Sequence, residues 1–293
     1  MDVSVVIRTL NEAEHLGALL TSIADQKYAS GSIETVLVDS GSTDGTLEIA
    51  ASHNVKIMHI KKEDFSFGRS LNVGCAAASG DALLIVSGHC LPVGNDWVAK
   101  LVEPLSDERI PYSYGGQLGA GKTRFSERQI FAKYFPRISK IPQDGFYCNN
   151  ANSALRRREW ASNPFDEELT GLEDMHLARR LVEQGYRIAY VAEAPVYHIH
   201  DERWRQVRRR FEREAIALQR IMPEVHLTLG DVVRYSISAI LLDMRAALQQ
   251  GRLRKSAVEI VLYRIIQFWG SYRGNHQHRA LSRHRKEAYF YPR

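Results

Sequence analysis

The chain has 293 residues, 44% hydrophobic and 25% charged, enough for one large domain or one domain plus an appendage. Its three scattered cysteines, Cys75, Cys90 and Cys148, exclude a disulfide framework and a zinc cluster, and a reducing cytoplasm is the expected compartment. Charge is uneven: residues 1–200 hold 20 Lys/Arg against 25 Asp/Glu, whereas 201–293 hold 19 against 9, so a mildly acidic part precedes a strongly basic one. The chain opens on Val3-Ser4-Val5-Val6-Ile7, a core strand with no charged region followed by an apolar one, so no signal peptide is expected. Leu16, Leu19, Leu20 and Ile23 then recur at spacings of three and four, which predicts a helix over 12–26 with one buried face.

A second buried strand, 35–38, ends at Asp39. Ser40, Gly41, Ser42, Thr43 and Asp44 make a tight loop of capping residues before a helix that starts near Thr46. These units read as β-α-β-α with both loops on one sheet edge, where open α/β sheets bind ligands. An acid there repels phosphate, so Asp39 suits a ribose or a base; the alternative is an acid that only caps its loop.

Residues 64–74 form a polar loop, predicted to lead into a small-residue helix over 75–79 and an apolar strand over 82–86. Arg69 and Asn72 fall on that loop and the first helical turn, where a guanidinium can pair with diphosphate oxygens; Arg69 as a solvated charge is the competing reading. The strand runs out into Ser87-Gly88-His89.

The segments SVVIRTLNEAEHL (4–16) and VLVDSGSTDGT (36–46) resemble the nucleotide-binding half of family 2 glycosyltransferases. The resemblance covers about residues 2–200 and implies an α/β GT-A nucleotide-diphospho-sugar transferase fold, a mostly parallel central sheet flanked by helices. It implies that Thr9, Asn11, Glu12 and Asp39, with Gly41, contact the nucleotide of an activated sugar. Arg8 stands where the family more often has proline. The strand that here ends in Ser87-Gly88-His89 normally ends in Asp-x-Asp, which holds a divalent ion on the diphosphate. A divalent cation, Mn2+ or Mg2+, is therefore implied by the family, but both acids are gone. An imidazole can still ligate manganese or another borderline ion, which makes His89 the metal candidate; the alternative is a histidine that only hydrogen-bonds the diphosphate. The combination most resembles bacterial rhamnosyltransferase-like members.

The amide-rich loop around Asn149, Asn150 and Asn152 suits a ligand covered with hydroxyls, although asparagine also favours turns for structural reasons. By the resemblance Asn152 lines the donor sugar pocket. Glu173 and Asp174 sit in the first turn of a helix to about Gln184, where the helix dipole alone favours acids. Glu-Asp followed by LARRLVEQGY matches the catalytic acid motif of inverting family members, which implies Asp174 as general base and Glu173 as an orienting or acceptor-binding group. A strand over 186–192 leads to His198 and His200, whose alternation on an extended segment puts both rings on one face. The resemblance makes His198 the natural second metal ligand, with His200 behind it; packing against the following helix is the alternative.

The region 201–293 is read as a basic helical appendage, with helices over 202–221, 231–250 and 255–272. Arg234, Asp243, Glu259 and Arg264 interrupt the last two too often for a transmembrane span. Basic residues His276, His278, Arg279, Arg283, His284, Arg285 and Lys286 close the chain. Three readings compete: an in-plane module meeting anionic lipid, a packing or dimerisation appendage, and a nucleic-acid binder, the last without any recognised motif. Taken together, the sequence is expected to encode an inverting hexosyl- or deoxyhexosyltransferase that moves sugar from a nucleoside diphosphate to a glycan or lipid-linked hydroxyl. It would be cytoplasmic and peripheral on the inner face of the membrane. The rival is an inert sugar-nucleotide-binding or membrane-associated module.

Overall fold

The computed structural model describes residues 1–277 and 289–290. His278, Arg279, Arg283, His284, Arg285 and Lys286 of the basic tail lie outside the described residues. The chain divides into two units. The first comprises Met1–Ala120, Phe135–Glu168 and Glu173–Ile199; the second takes Gly121–Tyr134, Leu169–Leu172 and the chain from His200 onward.

The first unit begins β1 (Val3–Thr9), α1 (Ala13–Ala24), β2 (Ile33–Asp39), α2 (Thr46–Ala51), β3 (Lys56–His59), α3 (Phe67–Ala77), β4 (Ala82–Ser87) and β5 (Cys90–Pro92). It continues with α4 (Trp97–Val102) and β6 (Tyr112–Gly119); α5 (Phe125–Tyr134), next in the chain, is grouped with the second unit. Then come β7 (Asn152–Arg156), α6 (Arg157–Ser162), α7 (Glu173–Glu183) and β8 (Ile188–His198). Among the described residues the sheet has eight strands in the order β3-β2-β1-β4-β7-β6-β8-β5.

Strand β1 lies inside the sheet, parallel to β2 and β4, and Val3, Val5, Val6 and Ile7 are fully buried. That explains its β-branched run on both faces. Leu16 and Leu19 of α1 and Trp97 of α4 pack in the same core, each large apolar side chain contributing about 1.5–3 kcal/mol by burial.

Register decides what meets at the carboxyl ends of the parallel strands. Antiparallel β7 starts beside the end of β4, with Val86 opposite Asn152. Strand β6 runs antiparallel to β7 and parallel to β8, so the ends of β6 and β8 reach the same edge. Strand β5 pairs Cys90 with His198, which sets His89 next to that histidine.

Several elements differ from the sequence expectation, three of them near the site. Helix α3 starts at Phe67 instead of Cys75, because the Ser66 hydroxyl accepts from the Arg69 N–H at 3.1 Å and caps the helix early. Strand β8 continues through Pro195 to His198, its extra residues absorbed at a register irregularity opposite Gly115 and Gln117. Strand β6, rich in glycine and tyrosine, gave no legible alternation and was not expected as an element.

Gly68 shows how closely α3 meets the approach to α7: a Cβ there would lie 2.1 Å from the Asp166 carbonyl oxygen. The Asn72 side chain ties the same segment, donating to the Phe165 carbonyl at 2.9 Å and accepting from the Phe165 N–H at 3.0 Å. Gly68→Ala is therefore expected to cost about 1–3 kcal/mol, because backbone must move, and to lower the melting temperature in a thermal scan. An unchanged melting temperature would show that the segment yields freely.

In the second unit α5 packs with α8 (Trp204–Ile221), α9 (Leu229–Gln249) and α10 (Leu253–Asn275). Of the charges that interrupt the apolar pattern, Arg234 stays exposed and the others pair inward: Arg264 of α10 grips Asp243 of α9 through two bonds of 2.8 and 2.9 Å, both side chains buried. Glu259 accepts from the Phe125 N–H at 2.7 Å at the start of α5. Glu127, His200 and Glu202 converge on one point, and Arg210 binds both carboxylates there, so a guanidinium supplies the positive charge. No helix among the described residues is long and apolar enough to cross a membrane.

Candidate active site

The loops after β1 and β2 are laced together by short polar side chains. The Asn11 N–H donates to the Ser42 hydroxyl at 2.9 Å, and Asn11 Oδ1 accepts from the Thr43 N–H at 2.8 Å. Asn11 holds a left-handed φ of 57°, a conformation asparagine tolerates better than most residues. The Glu12 N–H donates to the Thr46 hydroxyl at 2.8 Å.

Buried Asp39 accepts from the N–H groups of Gly41 and Ser42 and from the Ser42 hydroxyl, with the Thr9 hydroxyl at 3.4 Å. Asp39 therefore shapes its own loop, whatever it adds toward a ligand. Gly88 follows Ser87 at the end of β4 and packs against this pair of loops: a Cβ would lie 2.9 Å from Glu12 Cγ and 3.2 Å from the Arg8 carbonyl oxygen.

His89 and His198 face each other with Nε2 atoms 3.0 Å apart and rings 21° from parallel. Their other nitrogens are anchored. His89 Nδ1 lies 2.8 Å from a carboxylate oxygen of Glu12, so it donates. His198 Nδ1 lies 2.7 Å from Gln117 Oε1. The Gln117 amide is oriented in turn, because its Nε2 donates to Asn149 Oδ1 at 2.8 Å, and that oxygen also accepts from the Ala151 N–H at 3.0 Å. Both rings thus carry hydrogen on Nδ1 and turn acceptor nitrogens toward one another. Two such nitrogens at hydrogen-bond distance need positive charge between them, as a proton or as a metal ion. Anchoring Nδ1 on a carboxylate or an amide is how proteins orient metal-binding imidazoles. The residues present therefore fit a divalent ion.

The carboxylates come from the start of α7. Asp174 is 6% exposed, and its oxygens accept from the N–H groups of Asn150 at 2.8 Å and Met175 at 2.7 Å. Burial, then the charge of Glu173, push its carboxyl up to about 7, against the opposing pull of those two N–H groups and of Arg8. Glu173 pairs with Arg8 Nη1 at 3.2 Å; the same Nη1 donates to the Phe67 carbonyl at 3.3 Å, and the guanidinium lies 5.0 Å from the Phe67 ring centroid. Asn149 and Asn150, consecutive in the chain, link the histidine pair through Gln117 to the Asp174 carboxylate.

The structure brings Thr9, Glu12, Asp39, Ser87, Gly88, His89 and His198 to one edge of the sheet, together with the start of α7. Arg69 is exposed on the first turn of α3. Two asparagines proposed as donor contacts are otherwise engaged. The Asn72 amide holds the segment at Phe165, and the buried Asn152 amide binds the Trp97 indole and the carbonyls of Gly116 and Ala194. His200 starts the second unit, with its Nδ1 2.7 Å from Glu127.

Sequence reading missed Gln117, which lies on the unexpected strand β6, and the part Arg8 plays at Glu173. It read Asn149 and Asn150 as contacts to a hydroxylated ligand or as turn residues, and gave no sign that they bond Gln117 and Asp174. The only local signal for Arg8 was a charged side chain at the end of a buried strand.

Residues 4–163 match the glycosyl transferase family 2 description, more than half of the chain. The chain is 27% identical over 214 residues to the O-antigen chain rhamnosyltransferase RfbN of Salmonella typhimurium, covering 69% of this chain and 67% of that protein. To the O-antigen chain rhamnosyltransferase WbaN of Salmonella anatum it is 27% identical over 199 residues, covering 64% and 63%. The matched stretch thus spans about two thirds of each relative. Among solved structures, the mannosyltransferase PcManGT from Pyrobaculum calidifontis, in complex with GDP-Man and Mn2+, superposes with a TM-score of 0.63. That alignment has 18% identity and covers 93% of this chain and 84% of that one, a likeness of fold. By fold, by motif and by the extent of the match, this chain belongs to glycosyl transferase family 2 and has the GT-A fold.

Proposed function

We propose that the chain transfers a sugar from a nucleoside diphosphate to a hydroxyl of a glycan or lipid-linked acceptor, inverting the anomeric carbon. The acceptor oxygen bonds to that carbon as the carbon–oxygen bond to the diphosphate breaks. The acceptor proton passes to Asp174, and the nucleoside diphosphate leaves. The observation that carries this reading is a buried carboxyl held near 7 and tied, through hydrogen bonds and the backbone between Asn149 and Asn150, to two converging imidazoles. A carboxyl poised near neutrality is a far better base than an ordinary aspartate.

Thr9, Asn11, Glu12, Asp39 and Gly41 form the nucleotide side of the cleft, with Arg69, Ser87 and Gly88 toward the diphosphate. His89 and His198 would hold a divalent ion, Mn2+ or another borderline ion in preference to Mg2+, because hard Mg2+ favours oxygen. When bound, that ion supplies positive charge for the departing diphosphate. The names of the relatives support a surface polysaccharide as the product and a deoxyhexose among the donors to try first. With a lipid-linked acceptor, the enzyme would work at the cytoplasmic face of an anionic membrane.

The test is nucleotide release from a panel of sugar nucleotides, with and without acceptor, Mn2+ and EDTA. Acceptor-dependent release from one donor, lost in EDTA, is expected. Donor binding without release in the presence of any acceptor would point to the inert module.

Arg8 gives this reading a sharper handle, since its charge favours the ionised form of Asp174. The rate at low donor concentration is expected to rise as pH climbs through about 7, where Asp174 loses its proton. Arg8→Gln moves that limb to higher pH, so activity at pH 6.5 falls about threefold or more while activity above the limb is largely kept. Arg8→Lys restores part of the shift. An unmoved limb would show that Arg8 only braces Phe67.

A further inference from the structure

We infer that the α9–α10 hairpin is a membrane-docking surface, its outward face seated in the headgroup layer of an anionic bilayer. This deepens the membrane part of the reading above and does not depend on which sugar is moved. Eleven of the seventeen large hydrophobic side chains exposed among the described residues belong to these two helices. On α10, Val258, Leu262, Ile265 and Trp269 recur at spacings of four, three and four, a single stripe along the helix, with Val258 74% exposed. On α9, Val233, Ile237 and Leu241 recur every fourth residue. The opposite faces are already used: Asp243 and Ala247 of α9, and Ile260, Tyr263 and Arg264 of α10, are buried. Tyr235 and Phe268 bring the two helices together, ring centroids 6.1 Å apart. An apolar patch of this extent on a folded protein marks an interaction site.

Charge identifies the occupant. Residues 229–275 carry seven Lys/Arg against three acids. All three acids are engaged within the unit: Asp231 in the capping box of α9, Asp243 with Arg264, and Glu259 at the start of α5. Arg264 is buried, but Arg234, Arg245, Arg252, Arg254, Lys255 and Arg273 are exposed. Apolar stripes edged by cations, of which Arg234 and Arg273 also meet Asp231 and Glu212 while the others outnumber the acids of the two helices, match a layer of anionic phosphates over hydrocarbon. An exposed Trp269 beside Tyr272 suits the boundary between the two. A second copy docked on the same face about a two-fold axis would set these cations against themselves.

The experiment is sedimentation of the full chain with vesicles of phosphatidylcholine alone or mixed with phosphatidylglycerol. Salt-sensitive binding to the mixed vesicles is expected, with little to the neutral ones. The pairs Leu262→Glu with Ile265→Glu, and Arg254→Glu with Lys255→Glu, should each weaken that binding about tenfold or more. Melting temperature and transfer to a water-soluble acceptor should stay unchanged in both, which separates this surface from the catalytic reading. Equal binding to both vesicle types, or unweakened binding by both paired variants, would overturn the inference. So would a wild-type dimer that Leu262→Glu with Ile265→Glu dissociates, since a second copy would then be the occupant.

Discussion

Asp174→Asn is expected to reduce transfer by about 10²–10⁴-fold while leaving donor binding intact, the loss typical when a general base is removed. The amide keeps the side chain's shape and one bond to the N–H groups of Asn150 and Met175, but it cannot take a proton. Donor affinity, measured by calorimetry, controls for collapse of the cleft. Asp174→Glu keeps the base and displaces it by one methylene, so it should retain part of the rate. The same environment has a thermodynamic signature. A carboxyl raised to about 7 from an unfolded value near 3.8 favours the native state while protonated, and that contribution is lost as pH rises toward and through 7. The fold thus gives up stability at neutral pH to keep a reactive carboxylate buried.

His89→Ala and His198→Ala form the second large effect. Each removes one of two facing imidazole nitrogens, so each should abolish Mn2+ binding measured by titration, and with it any Mn2+ stimulation of transfer. The double variant should be little worse than either single one, because the two act as a unit. Gln117→Ala and Glu12→Gln leave both rings in place but disturb the bonds to their Nδ1 atoms, and about 10–100-fold weaker metal binding is expected. Wild-type Mn2+ affinity in the single histidine variants would show that the pair binds only a proton.

The strands and helices of the nucleotide half were legible because their signals are local. A run such as Val3-Ser4-Val5-Val6-Ile7 is buried on both faces, and the stripe of Leu16, Leu19, Leu20 and Ile23 is one face of α1. The helix that begins at Glu173 and Asp174 was legible from the apolar stripe that follows, Leu177 and Leu181. The link between His198 and Asp174 was not, because it passes through Gln117 on β6 and through consecutive asparagines whose bonds depend on strand order. Sequence spacing gives no hint that residues 117, 149 and 198 meet. Asn72 and Asn152 illustrate the converse: an amide suited to a hydroxylated ligand is equally suited to a carbonyl or an indole, and only packing decides between them. The second unit was readable as helices, but the pairing of Asp243 with Arg264, which turns apparent interruptions into an internal clasp, needed the antiparallel arrangement of α9 and α10.

The stereochemistry of the product is the most direct check on the single-displacement account. Proton NMR of the first glycoside formed from a donor of known anomeric configuration should show the opposite configuration in the product. Retention would mean that the acceptor arrives on the same face as the departing diphosphate, and a base at Asp174 acting in one displacement would be contradicted.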